Sequence, residues 1–132
     1  MRNTRTYLAI LLIAFMQVGC VNKKEDATSV PCPDIVTGCA DPQSGLRVRF
    51  NQTPRPMQAF KVDVVLPEAH EVYARFVMQG MEMGLNRYRL LLDGTGRWQA
   101  EVMLPACVQG RRDWLLILEA DGTRYQLPFS SL

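Results

Sequence analysis

The feature that most constrains this chain is a period of two in its apolar residues from Gly45 onward, with turn residues at short intervals. Apolar side chains recur at every second position in seven short segments, at 46–50, 60–64, 72–78, 88–92, 98–104, 114–118 and 125–129. A period of two places one face of a strand on a core and the other face in water. The pattern predicts an all-β fold, an antiparallel β-sandwich of immunoglobulin-like type with about seven strands.

The residues between these segments are typical of turns. Asp93-Gly94-Thr95-Gly96 and Asp121-Gly122 favour hairpins, because glycine accepts the positive φ at which a chain reverses. Pro54, Pro56 and Pro67 interrupt the early segments. No segment carries an apolar stripe at helical spacing, so we predict one β-sandwich domain over residues 45–132.

The N-terminus predicts export from the cytoplasm. Arg2 and Arg5 precede an apolar run at 7–16, and Gly19 stands directly before Cys20. A basic start, an apolar stretch and a small residue before the cleavage point form a secretory signal. With a cysteine after the small residue, residues 1–19 resemble a bacterial lipoprotein signal peptide, in which Cys20 is acylated and becomes the new N-terminus.

Two alternatives to a lipid anchor stay open. Gln17 departs from the lipoprotein pattern, so an ordinary cleaved signal is the main rival. A transmembrane anchor is disfavoured because the apolar stretch is shorter than the roughly 20 residues that span a bilayer. Val21 follows Cys20, where aspartate would indicate retention in an inner membrane. The expected location is therefore the cell envelope, lipid-anchored and facing the periplasm, with the outer membrane favoured.

Residues 20–44 are predicted to be a flexible tether that contains Cys32 and Cys39, because their first part is polar and aperiodic and their second part is rich in proline and glycine.

Removing Arg2 and Arg5 with the signal leaves 13 basic and 13 acidic residues. Nucleic-acid binding needs a clustered positive surface, and a neutral mature chain does not predict it.

Three cysteines besides Cys20 are candidates for a disulfide: Cys32, Cys39 and Cys107. Disulfides persist outside the cytoplasm, so one structural bridge is expected. Three thiols allow three single pairings, and the sequence does not choose among them. We expect the thiol left over to be buried and inert, with metal binding as the alternative.

A methionine-rich segment, 78–84, is the main candidate for a metal site. Thioether sulfur is a soft ligand that selects Cu(I). Met81 and Met83 would share a face of an extended segment, and His70 or Cys107 could supply a third ligand. The competing interpretation is that these methionines fill gaps in the core, as methionine often does.

Other patterns argue against catalysis. The chain has a single histidine and no recognisable nucleophile turn, phosphate-binding glycine loop or dinucleotide fingerprint, so we predict that it is not an enzyme.

Arginine pairs such as Arg47 with Arg49 lie on polar strand faces, where ion pairs with Asp63 or Glu101 are expected. A polyanionic ligand on such a face is an alternative. Trp98 and Trp114 are inward by alternation, which favours core packing.

Several segments resemble the FixH-like and YtkA-like family of small exported β-sandwich proteins. They are Phe76-Val77-Met78-Gln79-Gly80-Met81-Glu82-Met83-Gly84, Arg87-Tyr88-Arg89-Leu90, Gly96-Arg97-Trp98-Gln99-Ala100 and Gly110-Arg111-Arg112-Asp113-Trp114-Leu115-Leu116. The resemblance covers about residues 60–129 and implies a sandwich with an accessory role in copper handling or cytochrome oxidase assembly, with Met81 and Met83 matching the methionine turn. The chain departs from the pattern in its three-residue spacer before Trp114 and its lipoprotein-like start.

Together these features predict a non-enzymatic lipoprotein, held to a membrane by its lipid, with a protein partner in the envelope and no nucleic acid. Copper is its only candidate cofactor. The alternative is a structural or protein-interaction sandwich that binds no metal.

Overall fold

The structure is a computed structural model that describes residues 26–81 and 83–132. The predicted signal peptide, Cys20 and Glu82 lie outside these residues. The described residues form ten strands: β1 (Ala27–Ser29), β2 (Cys39–Asp41), β3 (Leu46–Phe50), β4 (Ala59–Val65), β5 (Val72–Val77), β6 (Arg87–Arg89), β7 (Leu91–Leu92), β8 (Trp98–Met103), β9 (Asp113–Ala120) and β10 (Thr123–Ser130). No helix in this part of the chain is long and apolar enough to cross a membrane.

The strands form two five-stranded sheets. One sheet has the order β1-β10-β9-β5-β6, and the other has the order β2-β3-β4-β8-β7. All neighbouring strands are antiparallel except β1, which runs parallel to β10. The four edge strands have only two or three residues each. Short edges leave few unpaired backbone groups for another chain to pair with.

The predicted immunoglobulin-like sandwich is confirmed. The order β3-β4-β8-β7 facing β10-β9-β5-β6 reproduces the A-B-E-D and G-F-C-C′ arrangement of immunoglobulin domains. The strand number is ten rather than seven for two reasons. The predicted segment 88–92 is divided into β6 and β7 at Leu90, whose N–H donates to the carbonyl of Val72 at 2.9 Å as the chain changes sheets. Strands β1 and β2 lie ahead of the predicted domain.

The predicted tether over 20–44 is wrong for the part that the structure describes. Strands β1 and β2 lie in this segment, and Val30 and Ile35 are buried in the core. The Val30 N–H also donates to the backbone carbonyl of Gln126 at 2.9 Å. Burial of these apolar side chains and pairing at sheet edges outweigh the polar composition of the segment. Residues 20–25 lie outside the described part.

Aromatic rings join the two sheets at the centre of the core. The inward side chains of β3, β4, β5 and β10 bring Phe50, Phe60, Phe76 and Phe129 together, with ring centroids 4.9–6.3 Å apart. Most of these pairs have the tilted or edge-to-face geometry that aromatic rings prefer. The core is therefore continuous between the sheets.

Candidate functional site

The loops at the two ends of the sandwich hold the candidate metal ligands, on opposite sides of the molecule. One end, which we call the methionine end, consists of 51–58, 78–81, 83–86, 104–112 and 131–132. The other, the aspartate end, consists of 42–45, 66–71, 93–97 and 121–122. Strand register fixes this division, because Ala59 pairs with Met103 at the first end and Val72 pairs with Ala120 at the second.

All five methionines of the described residues lie at the methionine end or, for Met103, at the strand position next to it. They are Met57, Met78, Met81, Met83 and Met103. Met78 is fully buried, whereas Met81 and Met83 are half-buried and pack against the core. Met57 and Met103 are exposed. The segment folds as a tight turn in which the Met81 N–H donates to the Met78 carbonyl at 3.1 Å. The side chains of Met81 and Met83 therefore each pack against the core on one side and reach solvent on the other.

The remaining described cysteine lies at the same end. Cys32 and Cys39 form a disulfide, which selects one of the three pairings that the sequence allowed. Cys107 is the free cysteine of the described residues, and its side chain is half-buried against the core rather than fully buried as expected. Because the bridge uses the other two thiols, Cys107 is available for other chemistry.

Arg111 connects the loop of Cys107 to the methionine turn. Its guanidinium donates to the backbone carbonyl of Gln79 at 3.1 Å and pairs with Asp113. Hydrogen bonding to Asp113 raises the pKa of Arg111, and the negative charge of a Cys107 thiolate adds to this effect. The Arg111 guanidinium therefore interacts electrostatically with Cys107 and also contacts the methionine turn.

His70 lies at the aspartate end, so the predicted set of Met81, Met83 and His70 does not form. The six residues of β5 separate His70 from the methionine turn, and they span roughly 17 Å at the rise of an extended strand. The His70 side chain is 92% exposed, and its Nδ1 lies 3.2 Å from an Asp121 carboxylate oxygen. Among the described residues, no group of three or more histidine, cysteine, aspartate and glutamate side chains could hold a metal ion.

Aspartate carboxylates close the turns at the aspartate end. Asp121 accepts hydrogen bonds from the backbone N–H groups of His70 at 2.9 Å and Glu71 at 3.0 Å. The bond from the His70 N–H is the main cause that lowers the pKa of Asp121. Asp93 accepts from the N–H groups of Arg97 and Thr95, which lowers its pKa in the same way. These carboxylates are engaged in local structure.

A predicted cross-strand ion pair, with Asp63, is present in one sheet, and the other sheet has an ion pair that the sequence did not predict. Arg49 lies 3.7 Å from Asp63, its partner in register on β4. On the other sheet, Arg87 bonds Glu119 at 3.0 Å and stacks over the ring of Tyr73, with 3.4 Å from the guanidinium carbon to the ring centroid. Pairs at exposed positions contribute only a fraction of a kcal/mol each. These ion pairs therefore add little to the stability of the fold.

Both tryptophans are buried, in agreement with the prediction of core packing. The indole N–H of Trp114 donates to the hydroxyl of Ser131 at 3.2 Å, which satisfies its polar atom within the core.

Asn86 was missed by sequence reasoning. Its side chain bonds both the N–H and the carbonyl of Phe76, at 2.7 and 2.8 Å, and so fixes the loop after the methionine turn to the end of β5. The signal that the sequence offered for this role was an asparagine, Asn86, that follows Gly80 and Gly84 in a loop.

No family model, curated protein or solved structure matches this chain. The FixH-like and YtkA-like resemblance therefore stays a prediction from the quoted segments.

Proposed function

We propose that this protein is a non-enzymatic, lipid-anchored envelope protein that binds Cu(I) at its methionine end, through Met81, Met83 and Cys107. The observation that carries the proposal is the gathering of every described methionine and the free thiol at one end of the sandwich. In this role the protein would serve copper handling or cytochrome oxidase assembly from the periplasmic face of a membrane.

The chemistry of these donors suits Cu(I) in particular. Thioether and thiolate sulfurs are soft ligands, and soft ligands select Cu(I) over harder divalent ions. Met81 and Met83 are half-buried, so their sulfurs can be held in place by the core while one side stays accessible. A thiolate on Cys107 would match the positive charge of the ion.

The disulfide supports the proposal from a second direction. In an oxidising compartment, a pair of neighbouring thiols is oxidised to a bridge. Because Cys32 and Cys39 are joined, the Cys107 thiol has no bonding partner among the described cysteines. The Cys107 thiol therefore stays free to bind a metal ion.

A competition titration tests the proposal. The full chain, purified in neutral detergent, is titrated with Cu(I) and ascorbate against a chromogenic chelator. Loss of an outer-shell partner alone costs about 10–100-fold in metal affinity, so M81L/M83L is expected to cost at least roughly 100-fold. Leucine replaces methionine with little change of volume, so the fold is retained.

Matched variants make the titration specific. M57L/M103L removes two other methionines from the same end, and H70A removes the histidine from the opposite end; both should bind Cu(I) as the unchanged protein does. Binding no tighter than micromolar, or equal losses in the two methionine pairs, would contradict the proposal.

A protein-interaction function is the second candidate, favoured by exposed apolar side chains at the same end. Leu85 and Val108 are essentially fully exposed, and Met57 and Leu132 are more than half exposed. Exposed apolar surface of this kind marks interaction sites when it is contiguous. A photoreactive residue at position 85 should then give a discrete crosslink in intact cells, which V108D abolishes.

A further inference from the structure

An open cleft of about 590 Å³ lies on the outer face of the sheet that contains β3 and β4. Arg47 and Arg49 reach this face because they alternate with inward side chains such as Val48. The turns at 37–38 and 95–96 form its rims, and Arg97 adds a third guanidinium from the second rim. The cleft has the volume of a small-molecule site. Its lining includes no residue of the methionine end.

The charge of the cleft is unbalanced. Its lining contains three arginines and one carboxylate, Asp63, which leaves two positive charges in excess. Asp63 is already engaged, since it accepts a hydrogen bond from the Gln99 side chain at 2.6 Å and lies 3.7 Å from Arg49. It therefore offers little neutralisation to the other two arginines.

The neighbours of Arg47 explain why it is unpaired. In register it lies between Ala40 of β2 and Val65 of β4, neither of which carries a charge. Within 4.0 Å of the guanidiniums of Arg47 and Arg97 no carboxylate oxygen of the described residues is found.

Arg97 has Asp93 nearby and the two charges interact, but the hydrogen bonds of that carboxylate are made within its own turn. It accepts the N–H and hydroxyl of Thr95, both at 2.8 Å, and the N–H of Arg97 at 2.9 Å. On the outer face of the other sheet, Arg87 and Arg89 each pair with a glutamate.

We infer that this cleft binds a phosphate monoester, held by Arg47 and Arg97 with Arg49 beside them. A guanidinium presents paired N–H donors that match two oxygens of a phosphate, and such charge-assisted bonds are stronger than neutral ones. A phosphate monoester carries close to two negative charges at neutral pH, which complements the positive charge of the three arginines. The site is separate from the proposed copper ligands, so it stands or falls independently of them.

Calorimetric titration of the full chain in neutral detergent with phenyl phosphate tests this inference. At pH 8 and low salt the ligand is dianionic and exposed charges are least screened. R47Q/R97Q is expected to weaken binding at least roughly tenfold, because each arginine loses a charge-assisted bond. D63N should tighten binding several-fold, because it removes the one carboxylate of the lining.

Two controls decide the outcome. R75Q removes an arginine from the outer face of the other sheet and should leave the affinity unchanged. Dimethyl phosphate, a monoanion with the diester chemistry of a lipid headgroup, should bind more weakly than the monoester. No saturable binding of phenyl phosphate, an equal loss in R75Q, or tighter binding of the diester would each overturn the assignment.

Discussion

At the scale of single residues, Asp121 links two connections that are far apart in sequence. It adopts a left-handed φ of 47° before Gly122, as hairpin turns of the primed types require. Its carboxylate accepts hydrogen bonds from His70 and Glu71, which begin the chain's approach to β5. The dipeptide predicted the turn, but the reach to the other loop depends on β5 lying next to β9.

The charge of Asp121 should make stability depend on pH. Its pKa is lowered from the ordinary value of 3.8, mainly by the His70 N–H, so the ionised form is favoured by folding. This contribution is complete above about pH 5 and is lost as the pH falls through the folded-state pKa. D121N, which keeps the tolerance for left-handed φ, should lower the melting temperature at pH 7, with a difference that shrinks below about pH 4.

A melting series from pH 7 to pH 2 checks this, with E68Q as the control. Glu68 is exposed and accepts no hydrogen bond among the described residues, so its variant should follow the unchanged protein. A D121N difference that stays constant over the whole range would show that the charge is irrelevant.

At the scale of elements, the disulfide ties β2 to the segment before it. Cys39 lies on β2 and is buried, and its partner Cys32 is seven residues earlier. Cross-linking a short loop removes conformational entropy from the unfolded chain. Because β2 has only three residues and lies at a sheet edge, the bridge contributes order that its few backbone hydrogen bonds do not.

Removing the bridge should weaken the fold measurably. For a loop of this length the chain-entropy argument gives about 2–3 kcal/mol, so C32A/C39A should lower the free energy of unfolding by roughly that amount in urea denaturation. C107A serves as the control and should cost less, since Cys107 is only half-buried. Peptide mapping that found Cys107 in a disulfide would contradict the pairing.

The elements also show what the sequence could predict. The long central strands β3, β4, β5, β8, β9 and β10 came from alternation, because each has one buried face. Strands β1 and β2 were missed because three residues are too few for a period, and their pairing depends on partners elsewhere in the chain. The gathering of methionines was only half visible: Met81 and Met83 are neighbours in sequence, whereas Cys107 joins their end through sheet order.

At the scale of the whole molecule, stability depends on the aromatic centre that joins both sheets. The Phe76 ring lies 5.8–6.3 Å from the rings of Phe50, Phe60, Phe129 and Tyr88. Its side chain is fully buried. Removal of such a ring loses apolar burial and leaves a cavity.

F76A should therefore destabilise the protein by about 3–5 kcal/mol in chemical denaturation. L85A, at a fully exposed apolar position, should change stability by less than about 0.5 kcal/mol. If the two variants cost the same, the described core would not be what holds the sheets together.

The parallel pairing of β1 with β10 determines which end of the sandwich the N-terminal segment enters. Ala27 pairs with Arg124, so the chain enters the sandwich next to the Asp121-Gly122 turn. Seven steps of chain from Cys20 to Ala27 span at most about 25 Å. If the proposed lipid is attached to Cys20, the aspartate end is the end that the anchor holds within this distance of the headgroups, and the eight residues of β9 place the methionine end roughly 25 Å farther along the sandwich.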